Sequence, residues 1–348
     1  MKILFVAPRF HTNQYFVTKT LKEKGHNVHF FVLYKFPAVE KYDTIEPVVI
    51  NKFLSFDYFK KLKTFNPDIV IIRDPNKSFS FINLIWAKLL KIKNIIIYTQ
   101  GPLHRKKNLK TKINKVFLNV FGAKWTTPVV GDKEKYEKFD KRAYYLPFII
   151  EPILKSFNEK HFFKNDKINI ITIGKLNLER KNILLLLEAI KTLKNEFPLY
   201  LTIIGFLEKE ESKYYLKIFD YIKKNNLSDI VKIKKNLDFF DVHKEYLKHD
   251  LFVLPSSNEP AAYSLVEAMS AGLPIISSDT NGTQCYIKED ENGYIFKSDD
   301  LEDLIQKIQL IIQDKKNIIK MGRKSHEFTL KNHSPEKFYQ EFMKIIKN

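Results

Sequence analysis

The sequence predicts an α/β protein made of two domains in tandem, each with a parallel sheet of βα units. Three observations carry this. Short apolar strands alternate with amphipathic helices from the first residues; the alternation breaks after Tyr144-Tyr145-Leu146-Pro147-Phe148; and it restarts at Ile168. Such alternation is the signature of parallel βα architecture. At 348 residues the chain is long enough for two ordinary domains, each burying its own core.

The first domain opens with a strand over 3–7 and a helix over 14–24, closed by Gly25 as an αL cap. A strand over 28–32 follows. Residues 68–72 and 95–99 are two more strands, β-branched runs with the continuous apolar character of strands covered on both faces. Residues 151–167 are charged, carry Pro152 and hold no sustained period, so 156–165 is expected to be an interdomain linker. The second domain then alternates strands over 168–173, 199–204, 231–233, 251–254 and 274–277 with helices over 182–195, 210–225 and 242–248. Helices over 301–313 and 334–347 are too many for the second sheet alone. The expected domains are therefore 1–155 and 166–329, with the last helix, within 330–348, packing back on the first. Two such sheets in tandem are expected to face a central cleft at the carboxyl ends of their strands.

A 44% apolar and 14% aromatic composition belongs to a folded protein. The single cysteine, Cys285, excludes an intrachain disulfide and a cysteine-cluster metal site, as a reducing compartment would allow. The N-terminal apolar run is too short for a signal peptide, and no run approaches the roughly 18 residues of a membrane span. A cytoplasmic protein, soluble or peripheral on the inner face of a membrane, is the expectation. The net charge of +19 is uneven: 75–131 holds no acidic residue and eleven basic ones, among them Arg105, Lys106, Lys107, Lys110, Lys112 and Lys115. Trp86, Leu89, Leu109, Ile113, Val116 and Phe117 are interleaved with them. A solvated lysine-rich surface and an anionic membrane surface both fit this pattern. Nucleic acid fits least, because no nucleic-acid module accompanies the charge.

Chemistry concentrates in two segments. Asn258-Glu259-Pro260-Ala261-Ala262-Tyr263-Ser264 runs into a helix over 263–271 that carries Glu267 and ends at Gly272. One carboxylate thus falls in a loop and the second one turn into the helix. Between them, the amides of Tyr263 and Ser264 lie at a helix start, where the dipole favours an anion. A nucleotide sugar presents sugar hydroxyls, diphosphate and ribose hydroxyls in the same order. On spacing alone, Glu-x7-Glu is common and reads first as two surface acids. The second segment, Gly174-Lys175-Leu176-Asn177-Leu178-Glu179-Arg180-Lys181-Asn182, joins a strand to a helix. Lys175 and Lys181 bracket that loop and could neutralise a departing diphosphate; alone they read equally as surface lysines.

Together these segments resemble the retaining GT-B glycosyltransferases of glycosyltransferase family 4. Members carry a strand-Gly-Arg/Lys-x5-Lys loop, then a strand of the Asp-Leu-Phe-Val-Leu-Pro-Ser type before Glu-x7-Glu-Ala-Met-Ala-x-Gly-x-Pro. Here the counterparts are Asp250-Leu251-Phe252-Val253-Leu254-Pro255-Ser256, the glutamate pair, and Ala268-Met269-Ser270-Ala271-Gly272-Leu273-Pro274. Asp290-Glu291-Asn292-Gly293 and Met321-Gly322 also match. The resemblance covers roughly residues 168–300 and thins outside them.

The resemblance implies a first domain for the acceptor and a second for the nucleotide sugar, a UDP-sugar above all. Glu259 would meet donor sugar hydroxyls, Glu267 the ribose, and Lys175 and Lys181 the diphosphate. Tyr263 and Ser264 would help through their amides, with Gly174, Pro260 and Ala261 completing the donor side. It implies no metal and no cofactor; Asp299-Asp300-Leu301-Glu302-Asp303 reads as helix N-terminal acids instead. The first domain departs from the pattern. Where members have a glycine pair, this chain has Pro8-Arg9-Phe10-His11-Thr12-Asn13-Gln14, which sets His11 and Asn13 on the acceptor side. Where many have a histidine, it has Gln100-Gly101-Pro102-Leu103-His104, with Gln100 unable to titrate and His104 a candidate substitute. Cys285 stands where a glutamate is frequent and reads as a small buried residue. The implied activity is hexosyl transfer, with retention, to a glycan or lipid-linked acceptor in surface polysaccharide or lipopolysaccharide synthesis. An inactive GT-B scaffold that binds glycan or a partner, a basic membrane-surface protein, and a nucleotide-sugar 2-epimerase are the other readings.

Overall fold

A computed structural model describes residues 1–36, 40–73 and 78–348, and the chain divides into two compact units. The first comprises residues 1–149 and 335–348, the second residues 150–334. Residues 75–77, where the acid-free basic stretch begins, lie outside the described residues.

The first unit is built on seven strands, β1 (Lys2–Val6), β2 (Asn27–Val32), β3 (Val48–Val49), β4 (Ile69–Arg73), β5 (Asn94–Tyr98), β6 (Lys124–Thr127) and β7 (Ala143–Tyr145). All pair in parallel, in the order β3-β2-β1-β4-β5-β6-β7. Its helices are α1 (Tyr15–Glu23), α2 (Phe56–Phe65), α3 (Ser78–Leu89) and α4 (Leu109–Phe121). Side chains alternate across a strand, so Leu4, Val6, Val70, Ile72, Ile95 and Ile97 share one face and pack against Leu62, Leu84 and Leu118 of the helices. Helix ends follow local chemistry. Gly25, at φ +80°, stops the chain after α1, and Asn108 with Thr111 forms a capping box at α4, which ends at αL Gly122.

The second unit has six parallel strands, β8 (Ile168–Ile173), β9 (Leu199–Gly205), β10 (Val231–Lys235), β11 (Leu251–Leu254), β12 (Ile275–Ser278) and β13 (Gly293–Phe296), ordered β10-β9-β8-β11-β12-β13. Its helices are α5 (Ile183–Leu193), α6 (Lys213–Lys224), α7 (Phe239–Tyr246), α8 (Tyr263–Ser270), α9 (Leu301–Ile312) and α10 (Lys315–Asn332). Helix α10 crosses the end of α8 closely: a β-carbon on Gly322 would meet the Gly272 carbonyl oxygen at 2.3 Å. This approach needs glycine at 322, and αL Gly272 makes the turn it leans on. The last helix, α11 (Pro335–Lys347), belongs to the first unit, where Lys24 Nζ of the loop after α1 meets Glu336 at 2.7 Å.

Two expectations need correction. Residues 156–165 are not an open linker: they are folded onto the second unit. Phe157 packs on the Gly272 turn, Lys160 Nζ donates to the Tyr246 carbonyl at 3.0 Å, and Phe163 N donates to Asp250 at 2.8 Å. The charge of this segment hid those anchors. Cys285 is only half-buried, because it lies in the short 3-10 turn Gly282–Tyr286.

Candidate active site

Two loops leave neighbouring strands of the second sheet where its order reverses. β8 pairs with β9 on one side and β11 on the other, and ligands of open parallel sheets bind outside the carboxyl ends of strands at such a point. The loop after β8 is residues 174–182, and that after β11 is residues 255–262. They are stitched together: Ser257 N donates to the Arg180 carbonyl at 2.8 Å. Asn258, in the αL region at φ 53°, donates its N–H to Thr280 Oγ1 at 3.1 Å.

This stitching sets Glu259 against two of the other loop's three cations, Arg180 and Lys181. Its Oε2 accepts from Lys181 Nζ at 2.6 Å and from Arg180 Nη1 at 2.5 Å. The Glu259 and Lys181 side chains are only 10% and 12% exposed, whereas Arg180 is 41% exposed. Burial pulls the Lys181 ammonium below its ordinary pKa, and Glu259 works against that fall. Gly174 is the floor on which the Lys181 stem rests. Lys175 stands at the start of the loop with an exposed side chain.

Glu267 lies one turn into α8 and is buried. Tyr246 Oη donates to its Oε2 at 3.0 Å, and His243 Nε2 lies 3.2 Å from its Oε1, where a ring N–H meets an acceptor-only carboxylate. Both partners come from α7. Burial, then Glu267, drive the Tyr246 hydroxyl far above its ordinary pKa, so it remains a donor. Tyr263 and Ser264 occupy the first turn of α8, whose N-cap, Ala262, offers no side chain to its amides. Ala261 is buried and Pro260 exposed in the loop before it. Asp300 caps α9 by accepting from Asp303 N at 3.1 Å, as the helix-acid reading expected, while Asp299 accepts from Asn182 at 2.8 Å. Among the described residues no cluster of three His, Cys, Asp or Glu could hold a metal ion.

The acceptor-side candidates all belong to the first unit. Gln100 is half-buried just beyond β5. His104 is tied to the loop after β6: its N–H donates to Val130 O at 2.9 Å, and its Nδ1 donates to Tyr136 O at 3.0 Å. His11 precedes the 3-10 turn Thr12–Gln14, in which Asn13 is buried with its Oδ1 lacking a partner. Sequence reasoning passed over three residues of the second unit: Arg180, His243 and Tyr246. Arg180 stood in the quoted run beside Lys181. His243 and Tyr246 are i, i+3 on α7, and the only hint of them was that a buried Glu267 needs donors.

Comparison with known proteins gives the family and the fold. The family model for glycosyl transferases group 1 matches residues 155–328. The sulfoquinovosyl transferase SQD2 of Arabidopsis thaliana is 31% identical over 94 residues, 26% of this chain and 18% of that protein. An Escherichia coli UDP-Gal:alpha-D-GlcNAc-diphosphoundecaprenol alpha-1,3-galactosyltransferase is 25% identical over 286 residues, 74% of this chain and 69% of that one. This chain spans half or less of the length of several curated relatives that it matches. The crystal structure of Anabaena HepE in complex with UDP superposes over 100% of both chains with a TM-score of 0.78 at 12% identity, a likeness of fold. That fold is GT-B, as the sequence led us to expect, with two Rossmann-like parallel-sheet units. Since the family model spans 174 of the 348 residues and takes in Glu259, Lys181, Glu267 and their partners, the chain belongs to the glycosyl transferases group 1 family.

Proposed function

We propose that the chain moves a hexosyl group from a nucleoside diphosphate sugar, a UDP-sugar, to a hydroxyl of a glycan or lipid-linked acceptor. The observation that carries this is the buried Glu259 between Lys181 and Arg180 at the reversal point of the second sheet. Two cations against one carboxylate leave a net positive charge for the diphosphate, beside the uncapped first turn of α8. The charge that develops on the leaving diphosphate meets fixed cations there, which lowers the barrier without metal. Lys175 adds an exposed cation at the rim. Glu259 keeps Oε1 for the sugar hydroxyls, and Glu267, oriented by His243 and Tyr246, accepts from the ribose.

In this reading Glu259 serves the sugar hydroxyls and Glu267 the ribose, so no carboxylate is placed as a covalent nucleophile. Departure and attack then share one face of the sugar, giving retention as in family 4. HepE binds UDP and UDP-glucose, and the E. coli relative uses UDP-Gal and a diphosphoundecaprenol acceptor; both agree with a UDP-sugar and a lipid-linked acceptor in surface polysaccharide synthesis. A peripheral place on the inner face of a membrane fits helix α4, where Leu109, Ile113, Val116 and Val120 are exposed among lysines. Among the described residues no helix is long and apolar enough to cross a membrane.

The test is a thermal-shift screen against UDP-, GDP-, ADP- and dTDP-sugars, on the wild type and on Glu267→Ala. A UDP-sugar should stabilise the wild type alone, with Glu259→Gln cutting the transfer rate about 100-fold and a chelator leaving it unchanged. The reading fails if no nucleotide sugar shifts the wild type and Glu267→Ala behaves identically.

A further inference from the structure

The first sheet also reverses its order, between β1 and β4, and a cavity lies on the face of that sheet carrying Phe5, Ile71 and Ile96. Arg73, Tyr98 and Thr126 line it, and they are partners in register across three adjacent strands, Arg73 to Tyr98 and Tyr98 to Thr126. Neighbours in register on a parallel sheet point to the same face. Two strand spacings put the Arg73 and Thr126 α-carbons about 10 Å apart. Asn13, from the loop after β1, completes the polar end.

Three polar atoms of this one cavity are buried without a hydrogen-bond partner: Arg73 Nη1, Thr126 Oγ1 and Asn13 Oδ1. Thr126 is 0% exposed and Asn13 7%. No carboxylate pairs with Arg73 among the described residues, and its guanidinium carbon lies 5.8 Å from the centre of the Tyr98 ring. Each bond left unmade in a buried place is unfavourable, and more so for the charged group. Orphans gathered in one cavity are therefore a site without its ligand rather than scattered defects. The cavity holds about 40 Å³, room for about three waters. Water would satisfy Asn13 and Thr126, but it brings no countercharge to Arg73.

We propose that the first unit takes its ligand by an anionic group, a phosphate or a carboxylate carried on a hydroxylated molecule. Arg73 supplies the countercharge, Thr126 donates its hydroxyl proton, and Asn13 Oδ1 accepts from a ligand hydroxyl next to the anion. The cavity admits the anion and not a whole sugar, so the rest of the molecule projects from it. This rests on the transferase reading only in naming the molecule as the acceptor; binding itself does not depend on it.

The experiment is calorimetric titration of the full chain, with the donor site blocked by UDP, using glucose 6-phosphate, glucuronate and glucose as probes. Either anion should bind about tenfold or more tightly than glucose, and the tighter of the two identifies the group. Arg73→Gln should erase that difference while leaving UDP affinity unchanged. If Arg73→Gln does not fold by circular dichroism, Thr126→Val replaces it and should weaken the anion about threefold or more without affecting glucose. Equal binding of all three probes, no binding of either anion, or an anion preference that survives the substitution overturns the proposal. Failure of the wild type to bind UDP would instead sink the transferase reading, and the same titrations without UDP would still decide this one.

Discussion

The stem of Lys181 lies directly over the α-carbon of Gly174. A β-carbon there would stand 3.0 Å from Lys181 Cδ and 3.2 Å from its Cε. Gly174→Ala therefore pushes a flexible side chain aside, not the backbone, and shifts the ammonium from Glu259. The expected outcome is a fall in transfer rate of about tenfold or more, with unfolding free energy changed by less than about 1 kcal/mol. Gly205→Ala should do the opposite. Its β-carbon would stand 1.9 Å from the Gly174 carbonyl oxygen, so backbone must move. A loss of about 3 kcal/mol is expected. Urea unfolding of the two variants, beside their rates, checks the pair; equal destabilisation would contradict it.

Tyr246 and Glu267 give a second separation of affinity from rate. Tyr246 is fully buried, and its single hydroxyl proton is shared between Glu267 Oε2 at 3.0 Å and the Ser264 carbonyl at 3.2 Å. Tyr246→Phe removes only the hydroxyl, leaving the carboxylate one donor, His243. Loss of that bond should cost about 1–2 kcal/mol of stability and raise the KM for the nucleotide sugar several-fold. The kcat should be nearly unchanged, because the ribose contact is made equally in ground and transition states. Steady-state kinetics at varied donor concentration decide it: a fall in kcat with constant KM would place Tyr246 in the chemical step instead.

What was legible in the sequence follows the strength of local signals. The β-branched runs at 69–72 and 95–97 are buried on both faces, so a continuous apolar run marks them without ambiguity. Glu259, Lys181 and Glu267 could be found because each lies in a loop or helix start joined to such a strand. Arg180, His243 and Tyr246 could not, because their roles are set by contacts across 79, 24 and 21 residues that no spacing encodes. The short strands β6 and β7 were missed for a different reason. Lys124-Trp125-Thr126-Thr127 has no alternation, and its apolar character is supplied by neighbouring strands. Arg73 was hidden in the same way: as one more base in a basic chain, it is distinguished only by a buried Nη1 that meets no hydrogen-bond acceptor among the described residues.

His249 ties stability to pH. It is 4% exposed, its Nδ1–H donates to the Glu245 carbonyl at 2.6 Å, and its Nε2 meets the Thr202 hydroxyl at 2.8 Å. Burial is the main cause that pushes its pKa down to about 4, against 6.5 for the free side chain. Between those values the unfolded chain binds a proton that the folded one refuses. The contribution is therefore complete above about pH 6.5 and lost as the pH falls towards 4, reaching about 2 kcal/mol at pH 5. Urea midpoints at pH 7.5 and 5 should show the drop, and His249→Gln should reduce it by that amount. An unchanged pH slope in the variant would remove His249 as its source.

The outward face of α4 is the last consequence. Its buried side chains are Thr111, Asn114, Leu118 and Phe121, so half of the inward face is polar. Leu109, Ile113, Val116 and Val120 point outward instead, 49–73% exposed and spaced 4, 3 and 4 residues apart on one stripe. Lys110, Lys112 and Lys115 flank the stripe. Exposed apolar area of this kind is unfavourable in water, whereas a bilayer of anionic lipid accepts the stripe and attracts the lysines at about 1 kcal/mol each. Sedimentation with vesicles of phosphatidylglycerol and phosphatidylcholine should therefore pull down the wild type. Ile113→Asp with Val116→Asp should abolish this in low and high salt alike, while neutralising Lys110, Lys112 and Lys115 should weaken it mainly at low salt. Both variants change residues of the first unit and the candidate donor loops belong to the second, so UDP binding should persist in both. Equal sedimentation of the wild type and the double aspartate variant would show that α4 does not meet the lipid.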